Sequence, residues 1–486
     1  MRRRSQFRLL IFLTLAWAAW AAWSLVGGSE PFTLRVVDDA GRPVPEAVVA
    51  AGGHQLGLTA ADGTVVIEGV SQPIEISAPG HVAAIVASPE PTDGVLDTVL
   101  KARVLRGEVV DASGRAVSDA VVSAGLASAT TDGDGAFELR GAEPGLVTVK
   151  RPAWEKVSFD WAGGPGDQQI VMDPAVAKAV HISGEAVEKR FDQFLAMATD
   201  TELNALMVDL KDETGQVLYE SQVPLVKQVG ADAGMYDLRH VASLAHGEGL
   251  YLIGRLVAFQ DPIAAKRMPE MSVWDSATQA PFTSRGQYFL DPTDPDARAY
   301  ALDLAKEACS MGVDELQFDY VRFPDSRPES AMFDGGVTAE VRAETMRGFL
   351  SDAVAALHPL GCAVAADVFG FVTTVEDDGG IGQNWLDVTS VVDVASPMLY
   401  PSHYNSGWFG FDSPNSHPGP VVQQALSDGL DRLSRQVVVR PWLQDFNYDA
   451  SQVRAQIDIA ESYGLGWMLW NATSNVTTNA LEGTSP

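Results

Sequence analysis

The chain has 486 residues, of which 46% are hydrophobic, so it is not a wholly disordered protein and we expect two or three domains. Its 64 acidic and 34 basic residues give a formal net charge of −30. A negative field of this size repels nucleic acid and anionic lipid, so we expect neither as a partner of the folded part. We interpret the charge as a solubilising surface.

The first 30 residues have the pattern of an export segment. Three arginines precede an uncharged apolar run from Leu9 to Val26, which is about the minimum length for a membrane span. We predict that residues 1–30 are a signal peptide or a membrane anchor. The rest of the chain is then secreted or held at the outer face of the cytoplasmic membrane, with membrane contact only through this segment.

Residues 31–173 contain an internal duplication. The sequence VDDAGRPVPEAVV, which begins at Val37, recurs as VDASGRAVSDAVV from Val110. Both copies continue with short β-branched runs separated by Asp, Gly and Pro turns, as in small antiparallel sandwiches. We predict one β-sandwich over 31–102 and a second over 103–173.

These two copies resemble carboxypeptidase-regulatory-like (transthyretin-like) domains, and the second copy resembles them more closely. The resemblance implies a stalk or an accessory module. Carbohydrate binding is the alternative, and it rests on Trp154 and Trp161 of the second copy.

Strand and helix patterns alternate from residue 174 to residue 486, which is typical of βαβ units. The predicted strands are Ala179–Ser183, Ala205–Asp209, Leu250–Val257, Glu315–Asp319, Ala363–Asp367, Val392–Met398, Val437–Pro441 and Gly466–Trp470. Helical patterns over Glu185–Thr199, Asp296–Met311 and Thr338–Leu357 lie between them. Eight such strands predict an α/β fold of the (β/α)8 TIM-barrel type. A doubly wound sheet is the alternative, but no glycine-rich phosphate loop supports it.

The chain contains two cysteines, Cys309 and Cys362. We expect both to be buried apolar fillers within barrel elements, and a single bridge between them is the alternative.

Polar and aromatic side chains recur where the predicted strands end, and in a TIM barrel these ends meet at one mouth. The second strand ends near Asp209, Lys211 and Asp212, and the third near Gln260 and Asp261. The remaining candidates follow strands four to eight: Asp319, Arg322, Asp367, Tyr400, His403, Tyr404, Trp442, Gln444, Asp445, Trp470 and Asn471.

Carboxylates and aromatic rings together favour glycoside chemistry, in which one carboxyl protonates the leaving oxygen and another attacks the anomeric carbon or activates water. Asp319 and Asp367 are the best pair because they end neighbouring strands. Metal catalysis is an alternative through Asp209, Asp319, Asp367 and His403, but no ligand spacing supports it. We therefore expect neither a metal nor another cofactor.

The segment Phe259–Pro295 is predicted to be a long loop. Loops of this length are often lids or binding loops. An insertion that packs on the barrel rim is the alternative.

Six motifs resemble those of one bacterial family of TIM-barrel, glycosyl hydrolase-like domains, long catalogued as a domain of unknown function. They are NALMVDLKD from Asn204, DELQFDYVRFP from Asp314, ADVFG from Ala366, SPMLYPSHY from Ser396, RPWLQDF from Arg440 and GWMLWNA from Gly466. The resemblance covers residues 175–480 and implies an extracellular glycoside hydrolase.

The same resemblance implies a set of cleft residues: Asp209, Asp319, Arg322, Asp367, Tyr400, His403, Gln444 and Asp445. Family members often carry a Lys-Asp pair where this chain has Gln260 and Asp261. The DELQFDYVRFP motif is also similar to the strand-four motif of family-18 chitinases. Val321 stands where those enzymes place their acidic glutamate, so their mechanism does not transfer.

We therefore predict a glycoside hydrolase that acts on a polysaccharide or a cell-envelope glycan. Asp319 would be the nucleophile, Asp367 the acid and base, and Arg322 would hold a carboxylate in place. Lys211, Trp442 and Trp470 join the predicted substrate-binding residues. A non-catalytic glycan-binding or envelope-scaffold protein is the alternative.

Overall fold

The computed structural model describes residues 30–70 and 72–483. The predicted export segment up to residue 29 lies outside the described residues. Within the described ranges, no helix is both long enough and apolar enough to cross a membrane. The chain divides into two compact units, one up to Arg151 with Glu155–Asp173, and one formed by Pro152–Trp154 and the chain from Pro174 onward.

The N-terminal unit consists of β-strands in four sheets. The first repeat forms sheets β4–β1–β7 and β3–β2–β5–β6, and the second forms β11–β8–β14 and β10–β9–β12–β13. The strands are β1 (Phe32–Asp38), β2 (Val48–Ala51), β3 (His54–Leu58), β4 (Thr64–Ile67), β5 (Ile74–Ser77), β6 (Ala84–Val86), β7 (Val95–Leu100), β8 (Val104–Val110), β9 (Val121–Ala124), β10 (Ala127–Thr130), β11 (Ala136–Arg140), β12 (Gly145–Lys150), β13 (Val157–Trp161) and β14 (Asp167–Val171).

The repeated sequence gives the two copies the same turn. The side chain of Asp38 accepts hydrogen bonds from the backbone N–H groups of Ala40 and Arg42. Asp111 holds the equivalent turn of the second copy through the N–H groups of Ser113 and Arg115. The predicted all-β fold of this region is confirmed. Trp154 and Trp161 are both buried, so neither offers an exposed ring for a sugar.

The C-terminal unit contains a closed barrel of eight parallel strands, one of which is split into two short pieces. In order around the barrel they are β15 (Lys178–Ile182), β16 (Ala205–Lys211), β19 (Tyr251–Val257), β24 (Glu315–Asp319), β26 (Ala363–Phe369), β27 (Val394–Leu399), the split pair β28 (Val438–Val439) and β29 (Trp442–Gln444), and β30 (Trp467–Trp470). β15 pairs with β30 on one side and with β16 on the other, which closes the sheet. The predicted TIM barrel is confirmed, and the open doubly wound alternative is excluded.

Helices connect the barrel strands. They are α1 (Gly184–Asp200), α2 (Pro224–Val229), α3 (Leu238–Gly247), α4 (Pro262–Arg267), α5 (Pro295–Ser310), α6 (Ala339–Leu357), α7 (Trp385–Thr389), α8 (Pro418–Asp431) and α9 (Ala450–Ser462). Short strands at the edge and in the loops are β17 (Val217–Tyr219), β18 (Asp232–Tyr236), β20 (Trp274–Asp275), β21 (Ala280–Pro281), β22 (Thr283–Ser284), β23 (Gln287–Tyr288) and β25 (Ala331–Met332). Ser183, Asp294 and Thr338 cap α1, α5 and α6 through their side chains.

The barrel has an apolar layer outside its strands and a second cluster within them. Strand residues such as Leu206, Leu316 and Val364 pack against the helices, where apolar burial stabilises the layer. Inside the barrel, Met207, Ile253 and Met468 pack together with other buried side chains. Both clusters fix the strand ends on which the site is built.

The seventh barrel position is predicted as one strand, Val437–Pro441, but the structure divides it. β28 ends at Val439 and β29 begins at Trp442. Pro441 lies between them, and proline has no N–H group with which to continue a strand ladder. The division places Trp442 and Gln444 in a second short strand, β29, which lies beyond the end of the predicted strand.

The two cysteines are bonded to each other. Cys309, near the end of α5, and Cys362, just before β26, form a disulfide with Cα atoms 6.1 Å apart. The expectation of two unbonded fillers is therefore wrong, although both residues are buried as expected. The two positions are 53 residues apart in sequence and meet only in the folded barrel, so their spacing could not reveal the bond.

The segment Phe259–Pro295 is a structured rim element. It contains α4 and the short strands β20–β23, and β20 pairs with β25. Phe259, Phe282 and Phe289 are buried within it. This arrangement favours the alternative of an insertion packed on the barrel rim over that of a lid.

Candidate active site

A cleft of about 470 Å³ opens where the barrel strands end. Its charged lining residues are Glu213, Arg255, Asp319 and Arg322. Most of the remaining wall is aromatic and comprises Tyr320, Phe369, Phe371, Tyr400, His403, Tyr404, Trp408, Trp442 and Trp470. A largely apolar cleft with a few converging polar groups is typical of a small-molecule or sugar site.

Arg255, in β19, is the centre of the charged floor. Its guanidinium donates to Asp209 on one side at 2.9 Å and to Asp319 on the other at 2.9 and 2.5 Å. It also forms an ion pair with Glu213. The ring of Trp470 lies 4.9 Å from the guanidinium carbon. One buried cation therefore fixes the positions of three carboxylates.

Asp209, at the end of β16, is a buried anion behind the cleft. Burial alone would raise its pKa, but the neighbouring His181 and Arg255 lower the pKa to about 2. The imidazole Nε2 of His181 lies 2.9 Å from its Oδ2, and the same imidazole stacks on Trp470 with ring centres 4.1 Å apart. Asp209 thus anchors Arg255 and does not line the cleft.

Asp319 is the carboxylate at the end of β24 that faces the cleft. Its Oδ2 accepts both hydrogen bonds from Arg255, and its Oδ1 accepts one from the backbone N–H of Tyr320 at 2.6 Å. Tyr320 has a left-handed backbone with φ of 49°. Such a conformation strains a non-glycine residue by about 1–3 kcal/mol, and strained residues of this kind cluster at functional sites.

Asp367, in β26, is a buried carboxyl group beneath the cleft wall. Burial and the negative charge of Asp319 raise its pKa well above its ordinary value. Its Oδ1 accepts hydrogen bonds from Gln317 at 2.6 Å and from the indole of Trp442 at 2.7 Å. Its Oδ2 is buried and has no partner among the described residues, which leaves this oxygen free to carry a proton.

Arg322 lines the cleft but does not hold a carboxylate. Its Nη1 donates to the backbone oxygen of Phe323 at 3.1 Å, and its Nε has no acceptor among the described residues. The guanidinium lies over the rings of Phe369 and Tyr320 at 5.0 and 5.1 Å. The predicted carboxylate-holding role therefore belongs to Arg255, not to Arg322.

Aromatic side chains after β27 form one wall. Tyr400 meets His403 edge-on with ring centres 5.3 Å apart, and Tyr404 contacts Trp408 at 5.5 Å. Partial desolvation lowers the pKa of His403. Half-buried Trp408 adds a ring on which a sugar could stack.

The structure brings several predicted residues together at the cleft: Asp319, Arg322, Tyr400, His403, Trp442 and Trp470. Five others do not line it. Asp209 and Asp367 are buried behind the lining, and the other three bond elsewhere. Lys211 is buried and pairs with Asp261, with Nζ 3.0 Å from Oδ2. Gln444 and Asp445 bond to neighbouring loop backbone, Gln444 to Ser402 and Phe446, and Asp445 to Thr477.

Two functional residues were not predicted from the sequence. Arg255 stands alone in the apolar strand YLIGRLV, and a buried arginine requires anionic partners. That requirement was a usable signal. Glu213 lies two residues beyond Lys211, in a turn after β16, where the sequence alone does not show which way its side chain points.

Among the residues that the structure describes, no group of three or more His, Cys, Asp or Glu side chains is placed to hold a metal ion. The three carboxylates around Arg255 are bridged by its guanidinium. The charged floor of the cleft is therefore an ion-pair network centred on the Arg255 side chain.

The model of the family described as "Putative glycosyl hydrolase domain" matches residues 179–476. This match confirms the resemblance of the barrel segment. No curated protein matches the chain. The resemblance of the two N-terminal repeats to regulatory-like domains stays a prediction.

Three solved structures are among those that are similar to this chain. A hypothetical protein from Ruminiclostridium thermocellum ATCC 27405 is 34% identical over 39% of this chain and 97% of its own, with a TM-score of 0.36. The PgaB (BpsB) glycoside hydrolase domain from Bordetella bronchiseptica is 14% identical over 62% and 95%, with a TM-score of 0.46. The α-galactosidase TtGalA from Thermus thermophilus is 15% identical over 87% and 88%, with a TM-score of 0.39.

Proposed function

Because the chain belongs to the family described as "Putative glycosyl hydrolase domain", we propose that it hydrolyses glycosidic bonds of a polysaccharide or a cell-envelope glycan in this cleft. The observation that carries the proposal is the contrast between two carboxyl groups on neighbouring strands. Asp319 is held by Arg255 as an ion pair, while the pKa of Asp367 is raised. Glycosidases require one anionic and one protonated carboxyl group.

In the proposed reaction, an oxygen of Asp319 attacks the anomeric carbon as the bond to the leaving sugar breaks. The proton on Asp367 moves to the departing oxygen. Water then attacks the glycosyl-enzyme ester, returns a proton to Asp367 and releases Asp319. Arg255 and the N–H of Tyr320 orient Asp319 throughout.

Glu213 is the alternative proton donor. It lines the cleft, whereas Asp367 does not. Glu213 is already engaged as an ion-pair partner of Arg255, whereas Oδ2 of Asp367 has no partner among the described residues, which is the reason to prefer Asp367. The two assignments predict different responses to the leaving group.

The test compares 2,4-dinitrophenyl glycosides, whose leaving group needs no proton, with phenyl glycosides, whose leaving group does. We expect Asp319→Asn to lose activity on both. Asp367→Asn should lose about 10²- to 10⁴-fold on the phenyl substrates while retaining most of the dinitrophenyl rate. If Glu213→Gln shows this selective loss and Asp367→Asn does not, Glu213 is the acid.

A non-catalytic glycan-binding protein is the second candidate. It is supported by the burial of Asp367, which is only 1% exposed and does not line the cleft. Under this reading the chain would bind an oligosaccharide with no turnover, and Asp319→Asn would alter retention alone.

We also propose that the chain acts outside the cytoplasm. The apolar N-terminal run and the Cys309–Cys362 disulfide support this location, because disulfides persist mainly in oxidising compartments. The β-sandwich repeats would then act as a stalk or accessory module for the barrel.

A further inference from the structure

Arg322 is a cleft cation that forms no ion pair with any residue in the ranges 30–70 and 72–483. Arg255 and Arg322 both line the cleft, but only Arg255 forms ion pairs with described residues. The chain carries 64 acidic residues, so acidic side chains are not in short supply. The lack of an ion-pair partner among the described residues therefore distinguishes Arg322 from Arg255.

The guanidinium of Arg322 is held in place by aromatic rings. Phe369, Tyr320 and Phe289 lie 5.0, 5.1 and 5.5 Å from its central carbon. Its Nη1 donates to the backbone oxygen of Phe323. The residue is 5% exposed, so it cannot swing freely into water, and its orientation is set before a ligand arrives.

The nearest acidic groups do not satisfy Arg322. Asp325 and Asp319 both act on it electrostatically, but within the described part of the chain neither forms a hydrogen bond or an ion pair with it. The oxygens of Asp319 are taken by Arg255 and by the N–H of Tyr320. The buried Nε of Arg322 has no acceptor among the described residues, and an unsatisfied buried donor is unfavourable. Burial lowers the pKa of Arg322, as expected for a charge without a close counterion.

The surroundings indicate which anion would fit. A guanidinium presents paired N–H groups that match a planar carboxylate. A phosphate dianion usually meets several cations, whereas the other lining arginine is already neutralised by carboxylates. Other aromatic rings in the cleft lining, including Tyr404 and Trp408, suit a sugar ring that carries the carboxylate.

We propose that Arg322 binds the carboxylate of an acidic sugar, so that the substrate is a glycan containing uronic acids or similarly carboxylated residues. The net charge of −30 repels such a chain at long range, but salt screens that repulsion, and the contact with Arg322 acts at close range inside the cleft. This inference rests on the proposed function for the identity of the cleft as a glycan site. Binding of the sugar would satisfy the Nε donor and place the ring against the aromatic wall. A neutral glycan would leave the guanidinium without its counterion.

The test measures retention of the full chain in affinity gels that contain polygalacturonate, alginate or hyaluronan, each beside its carboxyl-reduced neutral form, at one fixed ionic strength. We expect retention by at least one acidic polymer and about 10- to 100-fold weaker binding to its reduced form. Arg322→Gln should lose the same factor on the acidic polymer and nothing on the neutral one. Arg322→Lys should keep part of the preference.

Arg327→Gln is the matched control. Arg327 lies five residues further along the same loop, donates to the backbone oxygen of Pro324 at 2.7 Å and does not line the cleft. Its replacement should leave acidic binding unchanged. Thermal unfolding of each variant establishes that the barrel is intact.

Three outcomes would overturn the inference: equal retention on acidic and reduced polymers, acidic retention that survives Arg322→Gln, or no retention on any acidic polymer. If the protein hydrolyses a neutral glycan and Arg322→Gln hydrolyses it equally well, the acidic substrate is refuted but the proposed hydrolase activity is not. If an acidic polymer is retained through Arg322 but is not hydrolysed, the proposed hydrolase activity is refuted and the acidic-sugar site is supported.

Discussion

Arg255 joins Asp209, Glu213 and Asp319 into one buried network. Removing one member of such a network leaves uncompensated charges in the interior, which is more damaging than the net value of the intact pairs. Because Asp319 owes its position to Arg255, the same residue links the stability of the barrel to the geometry of the cleft.

We predict that Arg255→Met lowers the free energy of unfolding by about 3–5 kcal/mol near neutral pH. The loss should shrink in acid. In the wild type the pKa of Asp209 is depressed to about 2, so its stabilising contribution is present above its unfolded pKa of about 4 and disappears as the pH falls towards 2. Urea unfolding at several pH values, followed by the fluorescence of buried Trp385, Trp442 and Trp467, measures the difference.

Arg347→Met is the control for this experiment. Arg347 pairs with Glu344 on the exposed face of α6, and exposed ion pairs contribute only about 0–1 kcal/mol. A loss in Arg255→Met no larger than that of Arg347→Met, or one that grows in acid, would contradict the role assigned to Arg255.

At the scale of residues, the sequence indicated where the site side chains lie along the barrel, but it did not indicate which side chains they contact. Asp319 and Arg322 were placed at the cleft because both follow a strand that is easy to recognise. Arg322 was predicted to hold a carboxylate in place, but the arginine that holds Asp319 is Arg255 on the neighbouring strand. Contacts across a sheet depend on strand register, which a single sequence does not specify.

At the scale of elements, most strand predictions were accurate because most barrel strands are short, mainly apolar runs bounded by turns. β24 begins and ends where predicted, at Glu315 and Asp319. The seventh strand was predicted as continuous, but the structure divides it at Pro441. The rim segment Phe259–Pro295 was predicted as a loop because its strands are only two residues long.

The disulfide ties α5 to the start of β26 across 53 residues. In the chain-entropy model, closing a loop of this length stabilises the folded state by about 4 kcal/mol. We predict that Cys309→Ala/Cys362→Ala lowers the urea midpoint of the barrel, and that adding a reductant to the wild type lowers it to a similar extent. The double variant itself should not respond to reductant. An unchanged wild-type midpoint under reductant would contradict a stabilising bond.

At the scale of the whole molecule, the chain combines a β-sandwich unit with a TIM barrel that carries the cleft. The site is contributed by the carboxyl ends of barrel strands, which a fold of this kind predicts. The substrate could not be read from the sequence, because it depends on how Arg322, Trp408 and their neighbours converge from separate loops.

The most direct measurement is reducing-sugar release by the full chain across a panel of neutral and acidic polysaccharides, with Asp319→Asn beside it. We predict release from at least one polymer by the wild type, and a loss of several orders of magnitude in the variant. Equal release by both proteins would contradict Asp319 as the nucleophile. Binding of a polymer by both proteins without any release would contradict hydrolysis itself.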